Sequence, residues 1–244
     1  MSWCPKHCAV IGASGGIGTA FVQHLLKNGS VETLHCLSRS KTTTFKDDRT
    51  VDHILDYEKP ETISSATAQI KEGPPLNLII VATGLLHDES GFSPEKSLRQ
   101  LDAESLARSY QINAIGPALV AQSFLPLLNK EEKSVFAALS ARVGSISDNN
   151  IGGWYGYRAA KSGLNQLLRT ASIEHARRWP ESVIIGLHPG TVNTNLSKPF
   201  QRNVAKGKLF TAEYATSEML NVISNVTPKD TGKILAYDGK EVPA

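Results

Sequence analysis

The chain has 244 residues, of which 41% are hydrophobic and 20% are charged. This is the composition of an ordinary globular protein with a sizeable core, and it excludes a chain that is disordered throughout. The 26 basic and 23 acidic residues leave a net charge of +3, and the basic residues are scattered, so the sequence predicts binding neither to nucleic acid nor to an anionic membrane.

The amino terminus bears on compartment and metal binding. Residues 1–16 lack a charged segment followed by an apolar one, and no run approaches the roughly 18 apolar residues of a membrane span, so we expect a cytoplasmic protein. Three cysteines, Cys4, Cys8 and Cys36, predict no disulfide framework in such a chain. Cys4, His7 and Cys8 are close together, but no second ligand pair follows, so we predict no metal site.

Apolar runs rich in Val, Ile and Leu alternate along the chain with stretches of helical period. Continuous apolar runs bounded by turn residues are typical of strands buried on both faces, as in a parallel sheet covered by helices. The alternation predicts an α/β fold with a doubly wound, mainly parallel sheet of about seven strands. In chain order, the strands are predicted at 7–13, 33–38, 51–56 (a weaker one), 76–83, 134–140, 182–190 and 232–239.

Three long helices are predicted between these strands, at 18–29, 101–130 and 156–179. Asp102 stands where it can cap the second helix. Pro117 lies within that helix and removes an amide donor, which predicts a kink just before it.

The remaining segments indicate one domain spanning 1–244, because the chain contains no repeat, low-complexity tract or linker. The segments 84–100 and 191–215 have loop-like composition with scattered Gly, Pro and Ser. We predict that they are mobile and cover a ligand, with 191–215 as a substrate lid.

A glycine-rich turn lies where the first strand passes into the first helix. The sequence IGASGGIG places glycines at 12, 15, 16 and 18. Glycine lets a diphosphate approach the backbone, and the start of a helix offers unpaired amides and a positive partial charge. The spacing departs from G-x-G-x-x-G, and no Gly-Lys-Ser/Thr follows, which disfavours a kinase or ATPase phosphate loop. A nucleotide site is predicted, and a glycine turn without a ligand is the alternative.

The end of the second strand bears on the choice of nucleotide. In dinucleotide folds an acidic residue near this position holds the ribose diol, whereas Ser38 and Arg39 occupy it here. A cationic side chain suits a 2′-phosphate, so NADP(H) is favoured over NAD(H). The alternative is that Arg39 is a solvated surface residue.

Tyr157 and Lys161 stand four residues apart in a predicted helix, so their side chains share one face. An ammonium group near a phenol favours the phenolate and lowers a pKa that is ordinarily about 10, which would bring the tyrosine into range for proton transfer. Tyr155 lacks such a partner because Ala159 is four residues on. A pair of this kind is also common on ordinary helices, and the pair alone does not decide between the two interpretations.

Taken together, the motifs resemble the short-chain dehydrogenase/reductase family over nearly the whole chain. They are the glycine turn, VATG at 81–84, INAIG at 112–116, YRAAK at 157–161 and HPGTVNT at 188–194, in the family's order and spacing. Within the family, residues 139–170 and the ending DGKEVP look most like the C-factor or sniffer-like carbonyl reductases. The resemblance implies a Rossmann-type domain and an NAD(P)-dependent oxidoreductase, most of all an NADPH-dependent carbonyl reductase.

The resemblance also implies roles for individual residues. Tyr157 would exchange a proton with a carbonyl or alcohol, Lys161 would lower its pKa and hold the nicotinamide ribose, and Asn113 would keep a water in the proton relay. The alternative for Asn113 is a polar residue that relieves the helix break before Pro117. Besides these three, the implied cofactor contacts are Gly12, Ser14, Gly16, Ile17 and Gly18 to the diphosphate; Ser38 and Arg39 to the 2′-phosphate; Asp56 to the adenine; Ala82, Thr83 and Gly84 to the adenosine ribose; and Pro189, Gly190, Val192 and Thr194 beside the nicotinamide.

Two positions depart from the family's pattern. The usual NNAG after the fourth strand is VATG, without asparagine. Aligning LSARVG with the family's SSxxG places Ala141 at the catalytic serine position, and strand alternation turns the neighbouring Ser140 the other way. Ser145, twelve residues before Tyr157, could supply the hydroxyl from the loop. We treat Ser140 and Ser145 as candidate catalytic residues and expect only one to reach the substrate.

Two hypotheses for function remain open. The first is the carbonyl reductase, with a small-molecule carbonyl or alcohol substrate; the second is a non-catalytic NADP-binding signalling or redox-sensing protein. Leu196, Phe200, Leu209 and Phe210 in the lid hint at an apolar carbonyl compound, although lid packing would explain them equally well. The absence of a G-x-S-x-G elbow disfavours a hydrolase. The helices at 101–130 and 156–179 resemble a pair that family members use to dimerise, which predicts a homodimer.

Overall fold

Seven parallel strands form the central sheet of the computed structural model, which describes residues 3–40 and 45–244. The strands of the chain are β1 His7–Ile11, β2 Thr33–Ser38, β3 Thr50–Ile54, β4 Leu78–Val81, β5 Ser134–Leu139, β6 Ser182–His188, β7 Thr191–Val192, β8 Leu209–Phe210 and β9 Ile234–Ala236. The helices are α1 Gly16–Lys27, α2 Glu61–Ile70, α3 Ala103–Tyr110, α4 Gly116–Phe124, α5 Tyr155–His175 and α6 Ala212–Asn225.

The order of strands in the sheet is β3-β2-β1-β4-β5-β6-β9, with every pair parallel. The chain winds one way from β1 to β3 and the other way from β4 to β9. Ligands of open α/β sheets bind beyond the carboxyl ends of the strands where this direction reverses, here between β1 and β4. The predicted doubly wound, Rossmann-type sheet is confirmed. β7 and β8 form a separate two-stranded sheet.

Alternate residues of the central strands enter two hydrophobic clusters, one on each face of the sheet, whereas the edge strand β3 contributes to neither. In β1, Cys8 and Val10 join the first cluster, whereas Ala9 and Ile11 join the second. Helices α1 and α6 supply the first cluster, and α2, α4 and α5 supply the second. Burial on both faces explains why the strands are continuous apolar runs rather than alternating ones.

The helix predicted at 101–130 is broken into three parts. Asp102 caps its start by accepting a hydrogen bond from the amide of Ser105 at 2.8 Å, as expected. Between α3 and α4 the residues Gln111–Ile115 form a π-helical turn, and Pro117 follows in the first turn of α4. The predicted interruption is therefore confirmed, and it takes the form of a widened turn.

Several boundaries differ from the predictions. β1 ends at Ile11 because Gly12 turns the chain with φ +86°. The first helix spans Gly16–Lys27, since Asn28 is already extended. Helices α2 and α6 were not predicted: α2 carries only three buried apolar residues among Ser, Thr and Gln, and α6 starts inside the segment interpreted as a lid. Within the described ranges, no helix is both long and apolar enough to cross a membrane.

Candidate active site

The glycine turn brings β1, α1 and β4 into direct contact. Gly12 donates its amide to the carbonyl of Leu37 at 2.8 Å, and a Cβ there would lie 3.0 Å from Thr83 Cγ2. A Cβ on Gly18 would lie only 2.0 Å from the carbonyl oxygen of Gly12. The start of α1 thus packs against the turn at a distance that no other residue at 18 allows.

The first turn of α1 points its amides at this turn. Gly15 occupies the N-cap position, and no side chain among the described residues caps it. Amides at a helix start that lack a capping side chain are the groups that bind phosphate. The close backbone approach and the uncapped helix start fit the diphosphate of a nucleotide.

A cavity of about 230 Å³ opens beside the turn at the carboxyl ends of β1, β2 and β4. It contains eight of the predicted cofactor residues: Gly12, Ser14, Ser38, Arg39, Asp56, Ala82, Thr83 and Gly84. The sequence analysis missed others that line it: Ile11, Gly15, Leu55, Tyr57, Glu58, Leu85, Arg108 and Ile112. Of these, Arg108 and Ile112 are spaced four apart, so their helical spacing could have revealed a shared face.

Ser38 and Arg39 lie at the end of β2 on the rim of this cavity. The buried Ser38 donates its hydroxyl hydrogen bond to the carbonyl of Ser40. Arg39 is exposed, and it forms no ion pair with any residue in 3–40 or 45–244. Its guanidinium therefore remains available to an anionic group in the cavity.

Tyr57 forms part of the cavity floor and was missed by sequence reasoning. Its hydroxyl shares a hydrogen bond of 2.8 Å with Thr83 Oγ1, and its carbonyl accepts from Gln111 Nε2 at 3.1 Å. A Cβ on Gly116 would lie 2.2 Å from the ring. Burial raises the pKa of Tyr57 well above its ordinary value, so the phenol stays protonated and Tyr57 supports Thr83.

Tyr157 and Lys161 lie one turn apart near the start of α5. Lys161 Nζ is 5.8 Å from the centre of the Tyr157 ring and donates to the carbonyl of Leu139 at 2.8 Å. Burial lowers the pKa of Lys161 to about 7 and raises the pKa of Tyr157 to about 12. The predicted lowering of the pKa of Tyr157 was therefore wrong for this geometry. Burial destabilises the phenolate more than Lys161 stabilises it, because Lys161 itself readily loses its charge.

Asn113 lies fully buried in the π-helical turn. Its Nδ2 donates to the carbonyls of Leu85 at 2.8 Å and Ser109 at 3.0 Å, and its Oδ1 accepts from the amide of Leu85 at 3.0 Å. The side chain thus ties the widened turn to the loop that follows β4. Among the hydrogen bonds of the described residues, none joins Asn113 to Tyr157.

The two candidate serines are buried and bonded elsewhere. Ser140 donates to Asn165 Oδ1 on α5. Ser145 donates to the carbonyl of Ala244 at 3.3 Å and accepts from the amide of Asp148 at 3.1 Å. Neither hydroxyl is hydrogen-bonded to Tyr157 in the part of the chain that the structure describes.

The residues predicted to lie beside the nicotinamide are found around the start of the segment 191–215. Val192 is buried in β7, and Thr194 lies against the glycine turn, since a Cβ on Gly16 would be 2.8 Å from Thr194 Cγ2. A Cβ on Gly190 would be 2.6 Å from the ring of Phe210 in β8. Pro189 precedes this crowded turn. The segment 191–215 thus contains β7, β8 and the start of α6 rather than a loop alone.

The two segments predicted to cover a ligand contact each other. His87 Nε2 lies 2.7 Å from the carbonyl oxygen of Asn195, and the His87 ring packs edge-on against Phe200 at 5.8 Å. Phe200 also packs against Trp154 at 5.0 Å. The segments 84–100 and 191–215 therefore contact each other close to Trp154 and Tyr157, and their covering of a ligand stays a prediction.

The start of α5 has an unusual backbone. Trp154 precedes the helix with φ 53° and ψ 43°, a left-handed conformation that is costly for a bulky residue. Its amide donates to the carbonyl of Glu95, and the Glu95 carboxylate accepts from the amide of Gly156 at 3.0 Å. Sequence reasoning missed Glu95, which carries no local signal.

The match to a protein-family model identifies the chain. A model described as short chain dehydrogenase matches residues 6–205, from the start of β1 into the segment 191–215. The chain belongs to this short-chain dehydrogenase family. It is accordingly an oxidoreductase, and the glycine turn and the adjoining cavity fit the nucleotide cofactor of the family.

Relatives of this short-chain dehydrogenase include a 1-hydroxy-2-glutathionyl-2-methyl-3-butene dehydrogenase of Rhodococcus sp. (strain AD45). The two are 28% identical over 232 residues, covering 94% of this chain and 96% of the relative. The C-signal of Myxococcus xanthus is 34% identical over 148 residues, which cover 60% of this chain and 83% of that protein. The resemblance to C-factor proteins noted in the sequence is thus supported.

Solved structures give the same assignment. An NADPH-bound carbonyl reductase from chicken fatty liver superposes with a TM-score of 0.84 at 26% identity, covering 98% of this dehydrogenase and 99% of that chain. The carbonyl reductase Sniffer of D. melanogaster has the same fold, with a TM-score of 0.84 at 20% identity and coverage of 98% and 99%.

Proposed function

We propose that this short-chain dehydrogenase is an NADPH-dependent carbonyl reductase that acts on a ketone or aldehyde. Bound NADPH would supply a hydride to the carbonyl carbon. Tyr157 would protonate the carbonyl oxygen. The observation that carries the proposal is the pair of Tyr157 and Lys161, one turn apart on α5, in which Lys161 is buried and Tyr157 is half-buried.

The protonation states of the pair favour reduction over alcohol oxidation. With a pKa raised to about 12, Tyr157 holds its proton at neutral pH, which is the state that a proton donor needs. Lys161, with a pKa lowered to about 7, can both hold and release a proton near neutral pH. We assign to Lys161 the return of the proton to Tyr157 and contact with the nicotinamide ribose.

Asn113 contributes to this site in one of two ways. The role of holding a water in the proton relay stays a proposal. The four hydrogen bonds of its side chain to Leu85 and Ser109 favour the alternative, in which Asn113 relieves the helix break and fixes the loop after β4.

The preference for NADP(H) over NAD(H) rests on the end of β2. Ser38 and Arg39 line the cavity where an acidic residue would hold a ribose diol. The exposed guanidinium of Arg39 suits a 2′-phosphate. The chicken carbonyl reductase of the same fold is NADPH-bound, which supports the same choice.

A second candidate function is a non-catalytic NADP-binding protein with a signalling or redox-sensing role. The specific observation in its favour is that Ser140 and Ser145 are both bonded away from Tyr157, with Ala141 at the family's serine position. The relative named C-signal is consistent with it. The intact pair of Tyr157 and Lys161 makes us prefer the reductase.

We also propose that the protein is a cytoplasmic homodimer whose chain forms one domain over 1–244. Four large apolar side chains are exposed on the helices predicted to pair: Tyr110, Ile115, Leu167 and Ile173. Exposed apolar residues on two neighbouring helices are typical of an interface between copies. A monomeric mass in solution at micromolar concentration would remove this part of the proposal.

Replacing Tyr157 by Phe tests the reductase directly. Oxidation of NADPH is measured against a panel of aldehydes and ketones, and we expect Tyr157→Phe to lower kcat/KM at least about 100-fold, the usual contribution of a positioned acid. Tyr155→Phe is the matched control, because Tyr155 is two residues away on the same helix. Activity unchanged in Tyr157→Phe would refute the mechanism, and NADPH binding without turnover of any carbonyl would support the second candidate.

A further inference from the structure

Trp154 is the one non-glycine residue with positive φ among those that the structure describes. The glycines before it, at 152 and 153, share this conformation, with φ 72° and φ 66°. A bulky side chain at such a position is uncommon, and conformational strain of this kind concentrates at functional sites. The path of the backbone alone therefore does not explain why a tryptophan, rather than a third glycine, occupies position 154.

Contacts from two sides hold this backbone in place. The carbonyl of Glu95 accepts from the amide of Trp154, and its carboxylate accepts from Gly156. Arg158 donates from Nε to the carbonyl of Gly153 at 2.9 Å and from a terminal nitrogen to Gly152 at 3.2 Å. Glu95 is only 7% exposed, so the bonds to Trp154 and Gly156 are sheltered from water.

The ring of Trp154 is thereby held beside the proposed proton donor. Its centre lies 6.3 Å from that of Tyr157 and 5.0 Å from that of Phe200, both in edge-to-face arrangements. Phe200 in turn contacts His87. The rings of Trp154, Tyr157 and Phe200 are each only half-buried, so part of their surface remains open to a substrate.

We infer that Trp154 and Phe200 form an aromatic wall of the substrate site and select carbonyl compounds whose carbonyl carbon is attached to an aromatic ring. The inference rests on the proposed function, because that function places the carbonyl oxygen at Tyr157. Because the centres of the Tyr157 and Trp154 rings are 6.3 Å apart, a group on the carbonyl carbon that points towards Trp154 would contact its ring. Aromatic rings gain from offset or edge-to-face contact with such a wall beyond the area they bury.

The test compares three aldehydes that differ in the group next to the carbonyl: benzaldehyde, the saturated ring of cyclohexanecarbaldehyde, and the chain of butanal. For each variant, kcat/KM is divided by the wild-type value. Trp154→Gly suits the left-handed backbone and is expected to fold. We expect Trp154→Gly to lower kcat/KM roughly tenfold for benzaldehyde and less than about twofold for butanal. The loss for cyclohexanecarbaldehyde should lie between these two.

Phe200→Leu is a second variant, which keeps an apolar side chain but removes the ring. It should lower kcat/KM most for benzaldehyde, less for cyclohexanecarbaldehyde and least for butanal. Val51→Ala is the control, since Val51 is an exposed apolar residue in the edge strand β3 and lies outside the wall. Equal losses for all three aldehydes in both wall variants, or no loss in either, would overturn the inference.

A binding measurement separates this inference from the proposed function. Benzyl alcohol is titrated into protein saturated with NADPH, which cannot oxidise it, so the measured heat is that of binding alone. We expect Trp154→Gly to weaken this binding roughly tenfold and Tyr157→Phe to leave it nearly unchanged. If the wild type reduces no carbonyl but this pattern holds, the reductase fails and the wall stands. If the wild type is active and Trp154→Gly binds benzyl alcohol as tightly, the wall fails alone.

Discussion

The side chain of Asn113 brackets the main chain of Leu85, donating to its carbonyl and accepting from its amide. A residue from the middle of a helix thereby fixes the loop that follows β4. We expect Asn113→Ala to lower the free energy of unfolding by about 2 to 4 kcal/mol, because the half-buried amide and carbonyl of Leu85 and the buried carbonyl of Ser109 lose their partner. Chemical denaturation measures this change.

Asn225→Ala serves as the control for that substitution. Asn225 bonds the carbonyl of Asn221 at the exposed end of α6, where water can replace it. A loss in Asn113→Ala no larger than in Asn225→Ala would contradict the bracketing role.

Burial of Lys161 predicts a pH dependence of stability. Its pKa is about 7 in the folded protein against an ordinary 10.5, so between these values the unfolded chain binds a proton that the folded protein does not. Above pH 10.5 Lys161 is neutral in both states and its burial costs no ionisation energy. As pH falls from 10.5 through 7, the unfolded chain gains a proton first, so the folded protein loses stability. The wild type should gain about 2 kcal/mol from Lys161 between pH 7 and pH 9.

Lys161→Met removes the titrating group while keeping an unbranched apolar chain. The free energy of unfolding is measured at pH 7 and at pH 9. The increase from pH 7 to pH 9 should be about 2 kcal/mol smaller in Lys161→Met than in the wild type. An identical pH dependence in wild type and Lys161→Met would show that Lys161 titrates normally in the folded protein.

The contact between Gly18 and the carbonyl of Gly12 predicts that Gly18→Ala is damaging. The added methyl group would lie 2.0 Å from a backbone oxygen, so the start of α1 must move away from the turn. We expect a loss of stability of about 1 to 3 kcal/mol and a weaker thermal shift on adding NADP⁺. Gly29→Ala is the control, since a Cβ there meets nothing within 4 Å. Equal behaviour of the two variants would argue against the close approach.

Arg39 is expected to decide between the two dinucleotides. Arg39→Ala should weaken NADPH binding about 10- to 100-fold, the value of a charge-assisted bond to phosphate, and leave NADH binding nearly unchanged. Titration followed by the fluorescence of the bound dinucleotide measures both affinities. Arg99→Ala, at another exposed arginine, is the control. An equal effect on NADPH and NADH would mean that Arg39 does not read the 2′-phosphate.

The sequence predicted the sheet and much of the lining of the cavity beside the glycine turn, because both depend on local patterns. Buried strands are continuous apolar runs, and the glycine turn and the pair of Tyr157 and Lys161 are each encoded within a few residues. Helix α2 was missed although Ile63, Ala66 and Ile70 have the helical spacing i, i+3, i+7, because these few apolar residues lie among Ser, Thr and Gln.

Contacts between distant segments lay beyond the reach of sequence reasoning. Glu95 and Gly156 are 61 residues apart, and the hydrogen bond between them follows only from the packing of a loop against α5. The prediction for the pKa of Tyr157 failed for a similar reason. The spacing placed a lysine nearby, but the effect of burial on the pKa is larger, and burial depends on the whole fold.

Tyr57 shows how such contacts constrain change in this protein. Its hydroxyl bonds Thr83, its ring fills the space over Gly116, and its carbonyl holds Gln111. A side chain at position 116 therefore requires a smaller residue at 57, and a smaller residue at 57 leaves Thr83 without its partner. Substitutions at these positions should be tolerated in combination and harmful singly, so the effect of each depends on which residues already occupy the others.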